Sequence, residues 1–256
     1  MSYDDPEVLA AFAKRTGITF PMLSDPQSAF IRAFGMVDPD NTTDNVPTYG
    51  KRDTAYPGYF VLDRTGRIIE RFIDPRYDDR RTASGLVAEM FPELLEATGR
   101  TTSTPHLSVH LGQSDIRVPL GARFRVFVDI ELPERMHIYA PGVEGYRPVA
   151  IELTPSPWFK AQAPVFPRPT LLRLEAIKET VPVYHGWARL GMDVVLANTG
   201  ALLKRLASAE RHAEEIAITG TLSYQACDDK VCYRPDSVAL KWELTAYLPD
   251  RQRTPK

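Results

Sequence analysis

Both cysteines of the chain lie in one short run, Tyr224-Gln225-Ala226-Cys227-Asp228-Asp229-Lys230-Val231-Cys232-Tyr233-Arg234-Pro235. A disulfide usually holds its two Cα atoms roughly 4.4 to 6.8 Å apart. Sulfurs separated by four residues can therefore close a ring only where the backbone reverses between them. An Asp228-Asp229-Lys230 tip between strand-like flanks permits that turn. Two cysteines are too few to staple a scaffold, and a chain of 256 residues does not need stapling. At 43% hydrophobic and 25% charged, the composition supports an ordinary core, and the length suits one large domain or two. A dithiol that switches between open and closed states is one reading of the pair, and a static disulfide closing a hairpin is the other.

Charge and hydropathy exclude several classes. A net charge of -2 and a pI near 6.2 give no electrostatic footprint for nucleic acid or for an anionic membrane surface. No apolar stretch approaches the roughly 18 residues needed to span a bilayer. Met1-Ser2-Tyr3-Asp4-Asp5 lacks the basic and apolar regions of an export signal. The five histidines, His106, His110, His137, His185 and His212, have no metal-type spacing to the cysteines, so no metal or other cofactor is expected. There is no phosphate-binding glycine loop and no nucleophile elbow.

Residues 1–98 read as alternating helix and strand. Asp5 as N-cap, Pro6 at the first helical position and Gly17 past the end bracket a helix, with Val8, Leu9 and Phe12 on one stripe. Thr19 to Leu23 suggests a short strand, and Ser28 to Phe34 a short helix stopped by Gly35. Tyr59 to Leu62 and Ile68 to Phe72 flank Asp63-Arg64-Thr65-Gly66, which predicts a hairpin with Gly66 at a positive φ. A segment from Thr82 to Thr98 is amphipathic and interrupted at Pro92. Residues 99–105, with the polar run from Thr101 to Pro105, read as a linker. Across 106–250 apolar and polar residues mostly alternate between Pro and Gly clusters, as in Leu107 to Leu111, Phe124 to Val128 and Ala239 to Leu244. That pattern argues for an all-β sandwich, with 199–215 either a helix or a long charged connection.

Two resemblances sharpen this reading. Ser2-Tyr3-Asp4, Phe20 to Asp25, Phe34-Gly35 and Tyr56 to Ile68 resemble the C-terminal part of an AhpC/TSA-type redoxin of the peroxiredoxin kind. The resemblance implies a truncated, thioredoxin-like α/β segment, with Pro57 as a candidate for the cis-proline that such folds place beside their active dithiol. The family's thiol lies upstream of the matching residues, and no cysteine precedes Cys227, so this module is expected to be chemically silent. That excludes the family's thiol peroxidase activity. It also implies uncovered apolar surface and a chain that is a fragment or starts late.

The run around the cysteines, over about 145 residues of context, resembles the N-terminal periplasmic domain of the thiol:disulfide interchange proteins of the DsbD family. The implied fold is an immunoglobulin-like β-sandwich carrying one redox-active pair, giving a two-module chain of α/β plus all-β. The implied activity is disulfide exchange between protein dithiols in the periplasm, with a thioredoxin-like or membrane-embedded electron donor and a periplasmic acceptor. By the same resemblance Cys232 faces the partner and Cys227 resolves, Tyr139 in the run Met136 to Gly142 lies beside the cysteines, and an aromatic cap loop shields the disulfide. Here the corresponding stretch, Leu171 to Ile177, offers only Leu and Ile, and four rather than five residues separate the cysteines. Tyr224, Gln225 and Tyr233 flank the sulfurs and are candidates for shielding them, although strand aromatics also serve packing. Asp228 and Asp229 disfavour a neighbouring thiolate while Lys230 and Arg234 favour it, so local charge sets no strongly lowered thiol pKa. A non-catalytic binding module with a structural disulfide and an inactive redoxin scaffold is the alternative.

Overall fold

The computed structural model of the chain describes residues 1–39, 54–76, 78–174, 178–198, 200–209 and 212–249. Its contacts divide into two compact units, Met1–Arg80 and Arg81–Leu248.

The first unit is a short α/β segment. Helix α1 (Pro6–Thr16) starts after Asp5 and ends at Gly17, whose φ of 70° provides the left-handed C-cap. Helix α2 (Ala29–Ala33) follows and stops before Gly35, also at positive φ. Strands β1 (Gly58–Leu62) and β2 (Ile68–Ile73) pair antiparallel across the expected turn. There Asp63 Oδ1 accepts from the Thr65 and Arg67 amides and Gly66 takes a φ of 82°. Two expectations fail. Thr19 to Leu23 forms no strand, because the only pairing nearby is a single bridge from Ser2 to Ser24. Pro57 is not a cis-proline, since the described residues contain no cis peptide bond; its carbonyl instead accepts from the Asp74 amide, 2.8 Å away, at the mouth of the hairpin. Phe20, Leu23, Phe30, Leu62, Ile68 and Ile69 are exposed.

The second unit is mostly β. After β3 (Arg80–Arg81) come α3 (Ala83–Met90), a 3-10 turn (Pro92–Leu94), β4 (Thr101–Ser103), β5 (Ser108–Gln113), β6 (Arg117–Pro119) and β7 (Ala122–Glu131). Then follow β8 (His137–Tyr139), β9 (Ala150–Leu153), β10 (Phe159–Ala161), β11 (Thr170–Leu174), β12 (Glu179–His185) and β13 (Trp187–Leu196). Helix α4 (Gly200–Ser208), β14 (Ala213–Tyr224), β15 (Ala226–Cys227) and β16 (Asp236–Tyr247) complete it. One sheet runs β10-β13-β7-β5-β4 and another β6-β16-β14-β9, and a third runs β11-β12-β8-β15.

Strands β14 and β16 alternate buried and exposed residues throughout, as a sheet with one wet face requires. Their register sets Ile216 beside Leu244, Ile218 beside Trp242 and Leu222 beside Val238. These side chains share one core with Phe124, Val126, Val128 and Ile130 of β7, with Leu202 and Leu206 of α4, and with Ile138, Tyr184 and Ala226 of the third sheet.

The expected linker is part of this unit. Thr101–Ser103 pairs with β5, and the segment before it is fastened to β7 and β13. Thr82 caps α3 by accepting from the Gly85 amide, and its own amide donates to the Arg123 carbonyl at 2.9 Å. Gly85 is needed there because a Cβ would lie 2.8 Å from Thr82 Oγ1 and 3.3 Å from the Arg123 carbonyl oxygen. Further along, Arg189 donates to the carbonyls of Pro92 and Leu95 while holding Asp129 with two hydrogen bonds of 2.6 and 2.7 Å.

Candidate functional site

Strand β8 has two faces with different work. Ile138 points into the large core, and its neighbours in sequence, His137 and Tyr139, point outward. Pairing with β15 sets Ala226 opposite Ile138 and Cys227 opposite His137, so Cys227 lies on the outward face. Pairing with β12 adds Val183 beside Tyr139 and His185 beside His137. Tyr139, Val181, Val183 and Cys227 form a second, smaller apolar cluster, against which Val143, Tyr146, Leu172 and Leu174 pack.

The cysteines sit at the base of a hairpin that reverses between them, directly opposite each other with Cα atoms 4.0 Å apart, and they are joined as a disulfide. Asp228 makes the reversal. Its Oδ1 accepts from the amides of Lys230 and Val231 at 2.7 and 2.8 Å, and its Oδ2 accepts from the Tyr233 hydroxyl at 2.8 Å. Those two amides and then the hydroxyl hold the Asp228 carboxyl below its usual range. Its support for the turn is therefore complete above the ordinary carboxylate pKa and is lost only as acid protonates it below that value. Gln225 Nε2 donates to the Tyr233 carbonyl at 3.0 Å and the Tyr233 amide donates to the Ala226 carbonyl at 2.9 Å, so the neck of the hairpin is tied as well. Substituting Asp228 by alanine is expected to make the pair several-fold easier to reduce, read as a less negative potential against dithiothreitol, because the open dithiol then loses the preformed turn.

The two sulfurs differ in access. Cys227 is 1% exposed, whereas Cys232 is exposed at the surface beside the exposed Val231. The Tyr139 hydroxyl lies 3.4 Å from Cys232 Sγ and 3.6 Å from Cys227 Sγ. In the disulfide neither sulfur carries a hydrogen, so the hydroxyl is the donor. Burial, followed by the neighbouring Tyr146 and Glu179, raises the Tyr139 pKa and keeps that hydrogen in place.

Of the expected neighbours, Tyr139 is in place. Gln225 and Tyr233 serve the hairpin, and the Tyr233 ring stacks on His106 with centroids 4.2 Å apart. Tyr224 does not shield the sulfurs: it is fully buried in the large core, with its hydroxyl 3.0 Å from Thr104 Oγ1. It ends β14 on the inward face, one residue before the chain crosses to the third sheet. The stretch proposed as a cap is strand β11, which contributes Leu172 and Leu174 to the cluster around Cys227 and leaves Leu171 exposed; Ile177 lies outside the described residues. The aromatic cover comes from elsewhere. Tyr146, in the turn before β9, stacks on Tyr139 at 4.4 Å and donates to Glu179 at 2.9 Å.

Sequence reasoning missed Tyr146, Glu179 and His137. No periodicity marks Tyr146, in a Gly- and Pro-rich loop. His137 could have been found, since it lies two residues before Tyr139 in the same strand and so shares its face. It is 5% exposed, and its Nε2 has no hydrogen-bond partner. Burial lowers its pKa, against the pull of Asp229 and Asp228, with His185 adding to the lowering.

The family model described as thiol:disulfide interchange protein DsbD, N-terminal, matches residues 113–242, half of the chain. That of the AhpC/TSA family matches residues 1–71. A search of curated proteins finds no match. Among solved structures, the N-terminal periplasmic domain of ScsB from Proteus mirabilis is similar over 58% of this chain and 50% of that one, with 14% identity and a TM-score of 0.36. The chain thus spans half the length of that ScsB structure. The reduced DsbD n-terminal domain of Neisseria meningitidis is similar over 48% of this chain and 82% of that one, with 16% identity and a TM-score of 0.31. The complex between the DsbD N-terminal and PilB N-terminal domains from Neisseria meningitidis gives 46% and 73% coverage at 16% identity and a TM-score of 0.31.

Proposed function

The chain belongs to the family of the N-terminal domain of the thiol:disulfide interchange protein DsbD, and we propose that it relays reducing equivalents between protein dithiols through Cys227 and Cys232. The observation that carries this reading is the unequal access of the two sulfurs, one exposed and one buried in the same disulfide. Exchange needs that asymmetry. An incoming thiolate attacks Cys232 Sγ, the Cys227–Cys232 bond breaks, and Cys227 leaves as a thiolate that takes up a proton. A second partner thiolate then attacks the partner sulfur of the mixed disulfide and frees Cys232. The partner has become a disulfide and this chain a dithiol. In the opposite direction Cys232 attacks a substrate disulfide and Cys227 resolves it.

The second unit serves in this proposal as an immunoglobulin-like sandwich that presents the pair, and the first as a thioredoxin-like redoxin segment without chemistry of its own, since no cysteine precedes Cys227. The partners are thioredoxin-like or membrane-embedded dithiol proteins on the donor side and a periplasmic disulfide protein on the acceptor side. The match to the family model of the DsbD N-terminal domain supports that choice of partner and compartment. Among the described residues no helix is long and apolar enough to cross a membrane.

A structural staple is the competing role. The hairpin is already tied by Asp228, Gln225 and the Tyr233 amide, which leaves a staple little to add. The equilibrium reduction potential of the pair, read by thiol alkylation in a dithiothreitol or glutathione buffer, separates the two. A value between about -180 and -270 mV is expected for an exchange protein, whereas a value well below about -300 mV assigns the pair to structure.

A further inference from the structure

Cys227 is 1% exposed, so the sulfur that must ionise to resolve a mixed disulfide has almost no access to water. The thiolate, not the thiol, attacks, and burial among apolar side chains disfavours it. A proton acceptor within the cluster is needed. The Tyr139 hydroxyl, although it reaches both sulfurs, is held protonated at neutral pH and is too weak a base to take up the thiol proton.

His137 stands directly opposite Cys227 across the β8 to β15 pairing, on the same outward face. Opposed residues in antiparallel strands have Cβ atoms about 4.5–5.5 Å apart, within reach of an imidazole. Its Nε2 is buried and has no partner while Cys227 is locked in the disulfide. A buried polar atom left unpaired is unfavourable and calls for an explanation. Reduction supplies one, because the Cys227 thiol carries a hydrogen that the disulfide sulfur lacks.

Given the exchange reading, we propose that His137 accepts the Cys227 proton as Cys227 attacks the mixed disulfide, and returns it when Cys227 leaves. The proton passes from Cys227 Sγ to the neutral imidazole. The Cys227 thiolate attacks Cys232 Sγ; the Cys227–Cys232 bond forms as the bond from Cys232 to the partner sulfur breaks. The partner sulfur departs as a thiolate, and the imidazolium supplies its proton directly or through solvent. Two electrons have moved from this dithiol to the partner.

The groups that face His137 suit this role. Burial keeps the imidazole neutral and ready to accept, Asp229 and Asp228 of the hairpin favour the imidazolium once formed, and His185 on β12 opposes it. Arg135, just before β8, is paired with Asp229, and the Tyr139 ring meets the imidazole edge-on at 5.7 Å.

The test uses the full reduced chain with glutathione disulfide as oxidant. Glutathione first joins Cys232, and its release reports attack by Cys227; both steps are read as mass shifts after rapid acid quenching. In the native protein the release rate is expected to be level between about pH 7 and 8, where the imidazole is already neutral. In His137→Gln it is expected to rise about tenfold per pH unit and to be at least roughly tenfold slower at neutral pH, because an unassisted thiol ionises near 8.5 or above. Equal slopes in the two proteins overturn the proposal. If neither protein forms or resolves the mixed disulfide, the exchange reading fails and this inference with it. An NMR titration of His137 in the native protein guards against a misfolded variant. Its pKa is expected to differ between the disulfide and dithiol forms, and an identical value in both overturns the role.

Discussion

Replacing Cys227 by alanine is expected to yield a protein that accumulates a mixed disulfide through Cys232 and releases it on the order of 10³-fold more slowly than the native chain. The loss is large because resolution is intramolecular: the hairpin holds the two sulfurs opposite each other, and an external thiol has to replace that proximity by diffusion. Replacing Cys232 instead is expected to abolish capture altogether. The remaining Cys227 is 1% exposed, behind Tyr139, Leu172 and Leu174, where a protein-sized disulfide cannot reach it. Incubation of each variant with glutathione disulfide or an oxidised thioredoxin-like protein, followed by non-reducing gels and mass measurement, reads the difference. Capture by the Cys232→Ala variant but not by Cys227→Ala would reverse the assigned roles, and capture by neither would remove exchange as the function.

The largest expected effect on stability lies away from the cysteines, at Arg189. This guanidinium is opposite Asp129 across β7 and β13 and grips it with two hydrogen bonds; it lies 4.1 Å above the Phe127 ring and also donates to the carbonyls of Pro92 and Leu95. Only 13% of the Arg189 side chain and 8% of the Asp129 side chain are exposed. Arg189→Ala leaves a buried carboxylate and two carbonyls without their donor, and such uncompensated charge typically costs about 3–5 kcal/mol. For a unit of this size that lowers the melting temperature by roughly 10 °C. Hydrogen exchange is expected to show the greatest loss of protection over residues 83–99, which Arg189 ties to the sheet. Arg189→Lys, which keeps the charge but not the two-pronged geometry, should recover part of the loss. A melting temperature unchanged in the alanine variant would show that the pair contributes nothing net.

The same residue explains why the contacts divide at Arg80 and Arg81 while the sequence pattern suggests a boundary near residue 98. Residues 82–98 have the amphipathic pattern of a helix ending the first module, and 101–105 have the polar composition of a linker. Both readings are locally sound. What they cannot contain is the partner: the Arg123 carbonyl accepts from the Thr82 amide, and Arg189, 94 to 97 residues further on, donates to the Pro92 and Leu95 carbonyls. The outer face of β7, with Phe127 and Asp129 buried, likewise breaks the alternation that a half-wet strand would have, because this segment covers it.

Local chemistry carries the rest in both directions. Asp5, Pro6 and Gly17 bound their helix, and Asp63 with Gly66 makes its turn, since caps and turns are satisfied by atoms a few residues away. The same holds for the reversal between Cys227 and Cys232, where Asp228 bonds residues two and three positions ahead. Tyr139 was legible as a neighbour only through family likeness, whereas Tyr224, within the cysteine run itself, faces the opposite side.

By itself, then, the order of residues determined the helix caps, the hairpin turns, the alternating strands of the larger unit and the closure of the one disulfide, all of which depend on periodicity and short-range hydrogen bonds. Only the tertiary structure decided which sulfur is open to a partner, that Tyr146 rather than a cap-loop aromatic covers Tyr139, that His137, with its Nε2 unpartnered, stands opposite the buried Cys227, and where the second unit begins. Those features depend on which face of a strand meets which neighbour, and pairings between distant strands are set by packing the whole core at once.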